Sequence, residues 1–435
     1  MSERATCVVV GGGPAGMVLG LLLARAGVEV QVLEKHADFL RDFRGDTVHP
    51  STLELLDELG LGEEFARLPY SRLDKVEFPV GPDRTVVVAD FRRLKLRHPY
   101  VAMVPQWDLL DLIADAGERE PAFTLRMRTE VTGLLWEDGR VHGVRYRTPE
   151  RRDGEIHADL VVACDGRWSL ARQQAGLRPR EFRVPIDAWW FRLPRQPKDN
   201  QSALTPRAGP GRFAVVIPRK DFLQIAYIGR KGTDAELRGR GIESFRRDVA
   251  DLMPDLADRV DALRSLDEVK HLDVRLNRLN RWHVDGLLCI GDAAHAMSPV
   301  GGVGINLAVQ DGVAAATLLA GPLLRGEVTG RDLAAVRNRR LLATVVVQAL
   351  QRMMHRGLVR PILDGRRMGP PKPVLALLRR VPGASYLTAY LIGVGLLPEH
   401  APPSAVRPFP GSAQAGRRRP TASGLRRRLQ GHRAG

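Results

Sequence analysis

The chain has 435 residues, with 66 Lys and Arg against 50 Asp and Glu, 44% hydrophobic residues and three cysteines. This composition predicts a globular protein of two or three domains and excludes pervasive disorder, a collagen-like chain and a disulfide scaffold. Three cysteines cannot all pair, which favours a reducing, cytoplasmic compartment. The net charge of +16 would suit nucleic acid, an anionic membrane surface or an acidic ligand.

Half of this net charge lies at the C-terminal end. Residues 401–435 hold eight arginines and no Lys, Asp or Glu, so they carry +8 and leave +8 for residues 1–400. Because this segment has few apolar residues and no periodicity, it predicts a disordered basic tail. The basic residues come with neither a zinc-ligand spacing nor a recognition-helix pattern, so we expect no nucleic-acid partner.

The first chemical motif follows a predicted strand. Residues Ala5–Val10 are apolar and largely β-branched, which predicts a strand buried on both faces. Met17–Arg25 has helical character, and Val28–Leu33 predicts a second strand. A G-x-G-x-x-G loop in this strand–helix–strand setting is typical of dinucleotide binding, with a plain structural turn as the alternative. The loop consists of Gly11, Gly12, Gly13, Pro14, Ala15 and Gly16.

Each conserved position of such a loop has a separate physical task. Gly11 permits a tight turn, Gly13 lets backbone N–H groups approach a pyrophosphate, and Gly16 allows close helix–strand packing. The helix N-terminus adds partial positive charge. Glu34, at the end of the second strand, would accept hydrogen bonds from a ribose, and the neighbouring Lys35 is a further candidate contact. A carboxylate at this place favours FAD or NAD over NADP.

Two later strands also end in carboxylates. The apolar run Leu160–Cys164 ends in Asp165, with Arg172 downstream. At such a place Asp165 could be an ordinary turn former. The apolar run Gly286–Ile290 leads to Asp292, which would accept hydrogen bonds from a sugar-alcohol chain.

A glycine-rich loop connects Asp292 to a helix predicted over Leu307–Ala320. Its backbone N–H groups would form an anion nest suited to the negative charge on the N1–C2=O edge of a reduced flavin. Pro299 would stiffen this approach, and His295 is expected to be a packed core histidine. The candidate cofactor contacts of this region are Asp292, Pro299, Gly301, Gly302, Gly304, Ile305 and Asn306.

The three cysteines mark the strands before these motifs. Cys7, Cys164 and Cys289 each stand in an apolar run just ahead of one of the three motifs. We expect them to be buried apolar packing residues, since no C-x-x-C spacing is present. This pattern argues against a disulfide reductase.

The region from 181 to 230 reads as strands. Alternation places Trp189 and Phe191 on one face and Trp190 on the other, without telling which face looks inward. Arg212–Pro218 and Asp221–Ile228 predict a hairpin. The candidate substrate contacts are Trp189, Trp190, Phe213 and Gln224. That the aromatic residues are simply core is an equally open interpretation.

The segment from Gly291 to Asn306 resembles a family signature, G-D-A-A-H-x-x-x-P-x-x-G-x-G-x-N. This is the signature of the class A flavin-dependent aromatic monooxygenases, of the p-hydroxybenzoate hydroxylase type. The resemblance covers about residues 5–320 and implies that NADH or NADPH reduces FAD, that O2 adds at C4a, and that the hydroperoxide hydroxylates an aromatic or polyketide-like small molecule. It also implies that Arg44 holds FAD, that Gln106 lies near the ribityl chain, and that Val131 contacts the adenine through its backbone. Asp165 and Gly166 resemble the family's D-G motif, which implies that Asp165 supports the FAD pyrophosphate region and the use of NAD(P)H.

The resulting architecture is α/β, a Rossmann-like FAD-binding domain with an inserted β-sheet substrate domain and C-terminal helices. No catalytic residue is assigned, no metal is expected, and the oligomeric state is left open. The predicted divisions are residues 1–70, 101–175 and 281–330 for the FAD-binding domain, 71–100 and 176–280 for the substrate domain, 331–400 for a helical segment and 401–435 for the tail.

Three alternatives remain at this point. One is an epoxidase or antibiotic-inactivating monooxygenase with the same cofactor chemistry. Another is an FAD-dependent reductase or dehydrogenase without oxygen transfer. The last is a non-enzymatic adaptor that contacts a membrane surface or nucleic acid through the basic C-terminal region.

Overall fold

The computed structural model describes residues 3–40, 47–81, 84–150, 152–199, 204–209, 211–366, 371, 375–376, 380–381 and 383–407. Arg44 and most of the basic segment 401–435 lie outside the described residues. Residues 401–407, however, belong to the folded body. The backbone N–H of Ala401 donates to Glu58 at 2.7 Å, and Ala405 is fully buried. The predicted start of a disordered tail at residue 401 is therefore wrong, because these seven residues pack on the protein.

The largest sheet in the described chain has parallel strands at its centre. Its strands are β1 Glu3–Val10, β2 Val30–Leu33, β8 Phe123–Arg126, β9 Glu130–Glu137, β10 Arg140–Arg147, β11 Asp153–Ala163, β19 His283–Val284 and β20 Leu287–Cys289. The order is β19-β20-β11-β1-β2-β8, with β10 and β9 extending from β11. Strands β20, β11, β1, β2 and β8 run parallel. The predicted α/β class is confirmed.

Helices cover this sheet and extend beyond it. They are α1 Pro14–Arg25, α2 Pro50–Glu58, α3 Gly62–Ala66, α4 Gln106–Glu118, α5 Leu170–Gln174, α6 Asp234–Gly239, α7 Gly241–Leu252, α8 Gly304–Arg325, α9 Gly330–Met354, α10 Arg360–Leu363 and α11 Ala384–Gly393. A π-helical turn, His355–Val359, joins α9 to α10. Short 3-10 turns lie at Phe91–Arg93, Pro254–Ala262, Leu266–Glu268 and Gly291–Ala293.

Helix α8 is the central helix of the core. Among the described residues it is the one helix whose length and composition would allow a membrane span, but 61% of its most apolar stretch is buried inside the protein. A Cβ on Gly312 would lie only 2.8 Å from the carbonyl oxygen of Ala15 in α1. This close approach of two backbones explains the glycine and shows that α8 packs inside the protein.

Small sheets lie beside the main one. They contain β3 Thr47–Val48, β4 Ser71–Leu73 and β7 Val101–Met103, then β5 Lys75–Gly81 with β6 Arg84–Asp90, and β12 Pro179–Glu181 with β18 Asn277–Leu279. A second larger sheet has the order β14-β15-β16-β13-β17. Its strands are β13 Ile186–Pro194, β14 Thr205–Gly209, β15 Arg212–Pro218, β16 Phe222–Arg230 and β17 Lys270–Leu272.

The second sheet has one face covered by helices. Trp189 lies directly opposite Tyr227 in the β13–β16 ladder, so both side chains lie on this face. There they pack with Phe245 of α7. Trp189 is 1% exposed, and its Nε1 donates to Asp234 at 2.8 Å. Trp189 is therefore a core residue on the face away from the cofactor motifs, which corrects its assignment as a candidate substrate contact.

The other face of the second sheet looks toward the cofactor motifs. Trp190 and Phe213 pack there in a cluster that includes Val300 and, from the π-helical turn, Val359. Helix α11 closes another side, where Ala389 is buried beside Phe91 and Ile217. The C-terminal helices are thus part of the walls around this inner face.

Candidate functional site

The three sequence motifs meet at one edge of the main sheet. Strands β1, β11 and β20 are parallel neighbours, so their carboxyl ends lie side by side. A Cβ on Gly11 would lie 2.6 Å from the carbonyl oxygen of Cys164, and one on Gly291 would lie 3.2 Å from Ala15. The glycine loop, the Asp165 segment and the Asp292 segment therefore surround one place, although they are up to 280 residues apart.

The glycine loop is shaped to receive an anion. Gly11 has a positive φ of 105°, and a Cβ on Gly16 would meet the carbonyl oxygen of Gly11 at 2.1 Å. A Cβ on Gly13, in contrast, would meet nothing within 4 Å, so this position faces open space. Gly13 caps α1 without a side-chain hydrogen bond. The first N–H groups of a 12-residue helix therefore point toward a place that suits a pyrophosphate.

Glu34 lies beside this loop and is 8% exposed. Its carboxylate accepts hydrogen bonds from the backbone N–H of Gly12 at 2.9 Å and of His36 at 3.0 Å. Lys35, in contrast, is exposed, and Val131 is half-buried near the start of β9. The peptide of Thr129, two residues earlier, donates to the carbonyl of Glu34 at 2.8 Å. Glu34 and Val131 thus belong to one corner, suited to the adenosine end of a dinucleotide.

The Asp165 segment leaves buried polar atoms without partners. Asp165 Oδ2 accepts from the backbone N–H of Ala171 at 3.2 Å, whereas Oδ1 is buried with no hydrogen-bond partner among the described residues. The same holds for Nε of Arg167 and Nε of Arg172. Burial raises the pKa of Asp165. Orphaned donors and acceptors at the same edge as the glycine loop fit a polar ligand such as FAD.

Asp292 joins this group through an arginine. Arg167 donates to the Asp292 carboxylate at 3.4 Å, and Arg172 donates to the carbonyl of Ala293 at 3.0 Å. Asp292 keeps about a third of its side chain exposed, at 31%. Its carboxylate is therefore held in place but still accessible to a ligand's hydroxyl groups.

The cysteines agree with a packing role. Cys7, Cys164 and Cys289 are free thiols, and Cys7 and Cys289 are buried. Burial raises the pKa of Cys7 to about 12, and it also raises the pKa of Cys164 and of Cys289 well above the ordinary value of a thiol. They stay protonated at neutral pH, so they are poor nucleophiles.

The Ser298–Gly304 loop is fixed from one side by residues near α2. Gly301 and Gly302 have positive φ values of 89° and 65°. The carbonyl oxygen of Gly302 accepts from Thr47 Oγ1 at 2.6 Å and lies 2.9 Å from Nε2 of His49. Asn306, in the first turn of α8, accepts from Thr52 Oγ1 at 2.7 Å. The loop therefore presents its N–H groups in a fixed arrangement.

Helix α9 fixes the same loop from the other side. Gln351 donates to the carbonyl oxygens of Ser298 at 2.8 Å and Val300 at 2.9 Å, and it accepts from the N–H of Ser298 at 3.2 Å. The side-chain amide of Gln351 thus bonds to the residues on both sides of Pro299. His355 lies 2.9 Å from the Ser298 hydroxyl, and burial lowers its pKa to about 4, so it is neutral at pH 7.

A buried carboxylate lies beneath these contacts. Asp311 is fully buried and accepts from the backbone N–H of Gly291 at 3.0 Å and from Nε of Arg340 at 3.1 Å. It also lies 2.5 Å from Nε2 of His295, which is 1% exposed and packs against Trp282 as the expected core histidine. Burial alone would raise the pKa of Asp311, but these partners hold it below its ordinary value.

The residues predicted for the site did not include Asp311, Arg340 or Gln351. Each lies on a helix with no recognisable motif. Asp311 contacts Gly291, 20 residues away, Arg340 contacts Asp311, 29 residues away, and Gln351 contacts Ser298, 53 residues away. For Arg340 and Gln351 the available signal was a run of polar residues at helical spacing along α9 and into the π-helical turn, namely Arg340, Thr344, Gln348, Gln351 and His355.

A polar group lies at the far end of the inner face. Gln224, 4% exposed, accepts from Nε of Arg219 at 3.2 Å, and Arg219 donates to the carbonyl of Met103 at 3.2 Å. Burial raises the pKa of Asp108 in α4, and the charge of Arg219 opposes that rise. Gln106, the first residue of α4 and close to Asp108 in the sequence, is half-buried. Arg219, in the turn between β15 and β16, is thus a buried cation.

Comparison with known proteins agrees with this geometry. Residues 4–350 match the family described as FAD binding domain. A 6-methylpretetramide 4-monooxygenase from Streptomyces rimosus is 35% identical over 374 residues, covering 85% of this chain and 87% of that protein. The chain belongs to the FAD-binding-domain family. The predictions of an FAD-dependent monooxygenase with NAD(P)H as reductant are confirmed.

Two further relatives support this membership. A kynurenine 3-monooxygenase from Salinispora tropica is 30% identical, covering 71% of each chain. The solved structure of an anhydrotetracycline hydroxylase from Streptomyces rimosus has a TM-score of 0.71 and 25% identity, covering 90% of this chain and 76% of that one. The similarity therefore extends through both sheets into the C-terminal helices.

The glycine loop yields a paired prediction. Gly16→Ala should destabilise the apoprotein by about 1–3 kcal/mol or more, because the new methyl group collides with the carbonyl of Gly11. Gly13→Ala should leave the melting temperature of the apoprotein unchanged and weaken FAD binding about tenfold or more, since backbone approach to the pyrophosphate is lost. Thermal unfolding of apoprotein and FAD titration measure both effects. Equal melting temperatures for the two variants would contradict this assignment.

The two buried glutamines of α9 yield a second prediction. Gln351→Leu should shift the midpoint potential of bound FAD to more negative values, because the loop N–H groups no longer sit where the reduced ring needs them. Gln348→Leu is the matched control, since Gln348 donates to the carbonyl of Asn277 at 2.7 Å and not to the loop. Redox titration of both proteins is the measurement. A shift of similar size in both variants would show that Gln351 acts only through general stability.

Proposed function

We propose that this enzyme hydroxylates a polycyclic aromatic polyketide, using NAD(P)H and O2. The observation that carries the proposal is the enclosure of the cofactor edge by an aromatic inner face. Trp190, Phe213 and Val300 of the Ser298–Gly304 loop all pack against one cluster of buried side chains, which includes Ala188 and Ala226 of the second sheet. The name of the 35%-identical relative supports the same class, a monooxygenase acting on 6-methylpretetramide.

FAD is proposed to bind along the edge where the three motifs meet. The first N–H groups of α1 would hold the pyrophosphate, Glu34 a ribose, Asp292 the ribityl chain and the N–H groups of the Ser298–Gly304 loop the ring. When bound, FAD supplies the redox chemistry, with electrons from NAD(P)H and oxygen from O2. The proposed contacts are Gly11, Gly13, Pro14, Ala15, Gly16, Glu34, Lys35, Arg44, Gln106, Val131, Asp165, Asp292, Pro299, Gly301, Gly302, Gly304, Ile305 and Asn306.

The protein residues have three tasks in this reaction. Trp190 and Phe213 bury the apolar rings of the substrate and keep water away from the reacting carbon. Gln224 and Arg219 would hold a phenolic oxygen at the polar end. A buried guanidinium favours the ionised form of a neighbouring phenol, which enriches the ring in electrons for oxygen transfer. The loop N–H groups stabilise negative charge on the cofactor.

The division into domains follows the same assignment. We propose that the main sheet with α1, α4 and α8 forms the FAD-binding domain and that the second sheet forms the substrate domain. The C-terminal helices contribute to both, because α9 holds the Ser298–Gly304 loop while α10 and α11 border the inner face. We propose a cytoplasmic enzyme, as the free thiols also favour.

The proposal predicts oxygen transfer to a polyketide probe. Purified protein with anhydrotetracycline as the probe should oxidise NADH or NADPH faster than protein alone, and under 18O2 the product should carry one labelled oxygen. Mass spectrometry of the product measures the label, and peroxide release measures uncoupling. A reduced product without label would identify the reductase alternative instead.

Trp190→Ala should raise the KM for the probe about tenfold and raise peroxide release, since a large apolar contact is lost. Trp136→Ala is the matched control, because Trp136 is 44% exposed on β9. Unchanged KM in the Trp190 variant would remove Trp190 from the substrate site.

A further inference from the structure

Three guanidinium groups surround the ring of Phe182, outside the cofactor edge. The guanidinium carbons of Arg180, Arg278 and Arg352 lie 5.4, 5.5 and 4.9 Å from the ring centroid. Arg180 and Arg278 are directly opposite each other in the β12–β18 pair, and Arg352 comes from the last turn of α9. Like charges opposite one another in a ladder are destabilising, so this arrangement is costly on its own.

These charges have no acidic counterpart in the part of the chain that the structure describes. Its ion pairs include none for Arg180, Arg278 or Arg352, although guanidiniums elsewhere, such as Arg259 and Arg340, are paired with carboxylates. The described hydrogen bond of Arg278 goes to the neutral Oε1 of Gln348 at 2.9 Å. Burial lowers the pKa of Arg278, and the positive charges of the neighbouring guanidiniums lower it further.

An open cleft adjoins this arginine cluster. It has a volume of about 460 Å³ and is lined by Ala349, Arg352, Met353, Arg356 and Gly357. Met353 is 63% exposed and offers an apolar surface, while Arg356 adds a further cation at the rim. The cleft volume lies within the range of roughly 300–1,000 Å³ typical of small-molecule sites. A cationic end beside an apolar surface suits a ligand with an anionic group and a flat body.

We propose that Arg180, Arg278 and Arg352 bind the phosphate of a nucleotide-sized ligand whose remaining part lies in the adjoining cleft. Guanidinium forks bind phosphate oxygens in pairs, and stacking on Phe182 holds the forks in place. A phosphate would also remove the mutual repulsion of the three groups. The proposed site lies on the face of α9 that carries Gln348 and Arg352. Gln351, in contrast, faces the Ser298–Gly304 loop.

The test is calorimetric titration of the FAD-loaded protein with inorganic pyrophosphate and, separately, with adenosine 2′,5′-bisphosphate at low salt. We expect saturable one-to-one binding by wild type. The double variant Arg278→Gln with Arg352→Gln should bind at least about tenfold more weakly, since charge-assisted hydrogen bonds are lost. The matched control is Arg264→Gln with Arg331→Gln, which removes the same charge from exposed positions away from the cluster. It should bind like wild type.

The two probes separate the sources of the phosphate. Tighter binding of the bisphosphate is expected, because the rest of this nucleotide would lie in the cleft. Equal affinity for both probes would show recognition of the phosphate group alone and would overturn the proposal of a nucleotide-sized ligand. Absorbance of bound FAD shows that the cofactor site is intact in every protein. If the double variant melts at a lower temperature, the single exposed variant Arg180→Gln replaces it. Absence of saturable binding by wild type, or equal weakening in the control pair, overturns the proposal.

Discussion

A single buried carboxylate, Asp311, joins parts of the site that lie far apart in the sequence. Its two oxygens contact the N–H of Gly291, the ring of His295 and the guanidinium of Arg340, and none of the side chain is exposed. A charge so deeply buried is tolerated only with such partners. Arg340 in turn lies within 3.4 Å of Glu399, so the segment after α11 is tied to the same point.

This connection makes the C-terminal helices part of the support of the site. They do not merely cover the protein, because α9 positions the Ser298–Gly304 loop through Gln351, while α2 and β3 position it from the opposite side. A loop fixed from both sides can hold its N–H groups where negative charge develops, with little reorganisation during the reaction. The aromatic inner face of the second sheet then closes the space above it.

The residues that we propose as contacts of the FAD pyrophosphate and sugar groups could be predicted from the sequence, because a pyrophosphate needs glycine at set positions of a strand–turn–helix unit and a carboxylate that follows an apolar strand stands out in the sequence. Gly11, Gly16, Asp165 and Asp292 were found in this way. The alternation of side chains along a strand placed Trp189 and Trp190 on opposite faces of the second sheet. Which face looks toward the site depends on where α7 packs, so Trp189 was wrongly assigned as a substrate contact. Asp311 and Gln351 were missed because their partners are set by packing between distant elements. The boundary at residue 401 failed for the same reason, since composition does not show that Ala405 is buried.

We infer that Asp311 ties the Gly291–Ser298 segment to α9 through its contacts with Gly291, His295 and Arg340. Hydrogen–deuterium exchange of Asp311→Asn, compared with wild type, tests it directly, since the substitution keeps the shape and removes the charge. We predict that the amides of Gly291–Ser298 and of Gly330–Met354 exchange faster in the variant than in wild type, and that the exchange of β1 and α1 is unchanged. Faster exchange in α9 alone, with the Gly291–Ser298 segment as protected as in wild type, would contradict it.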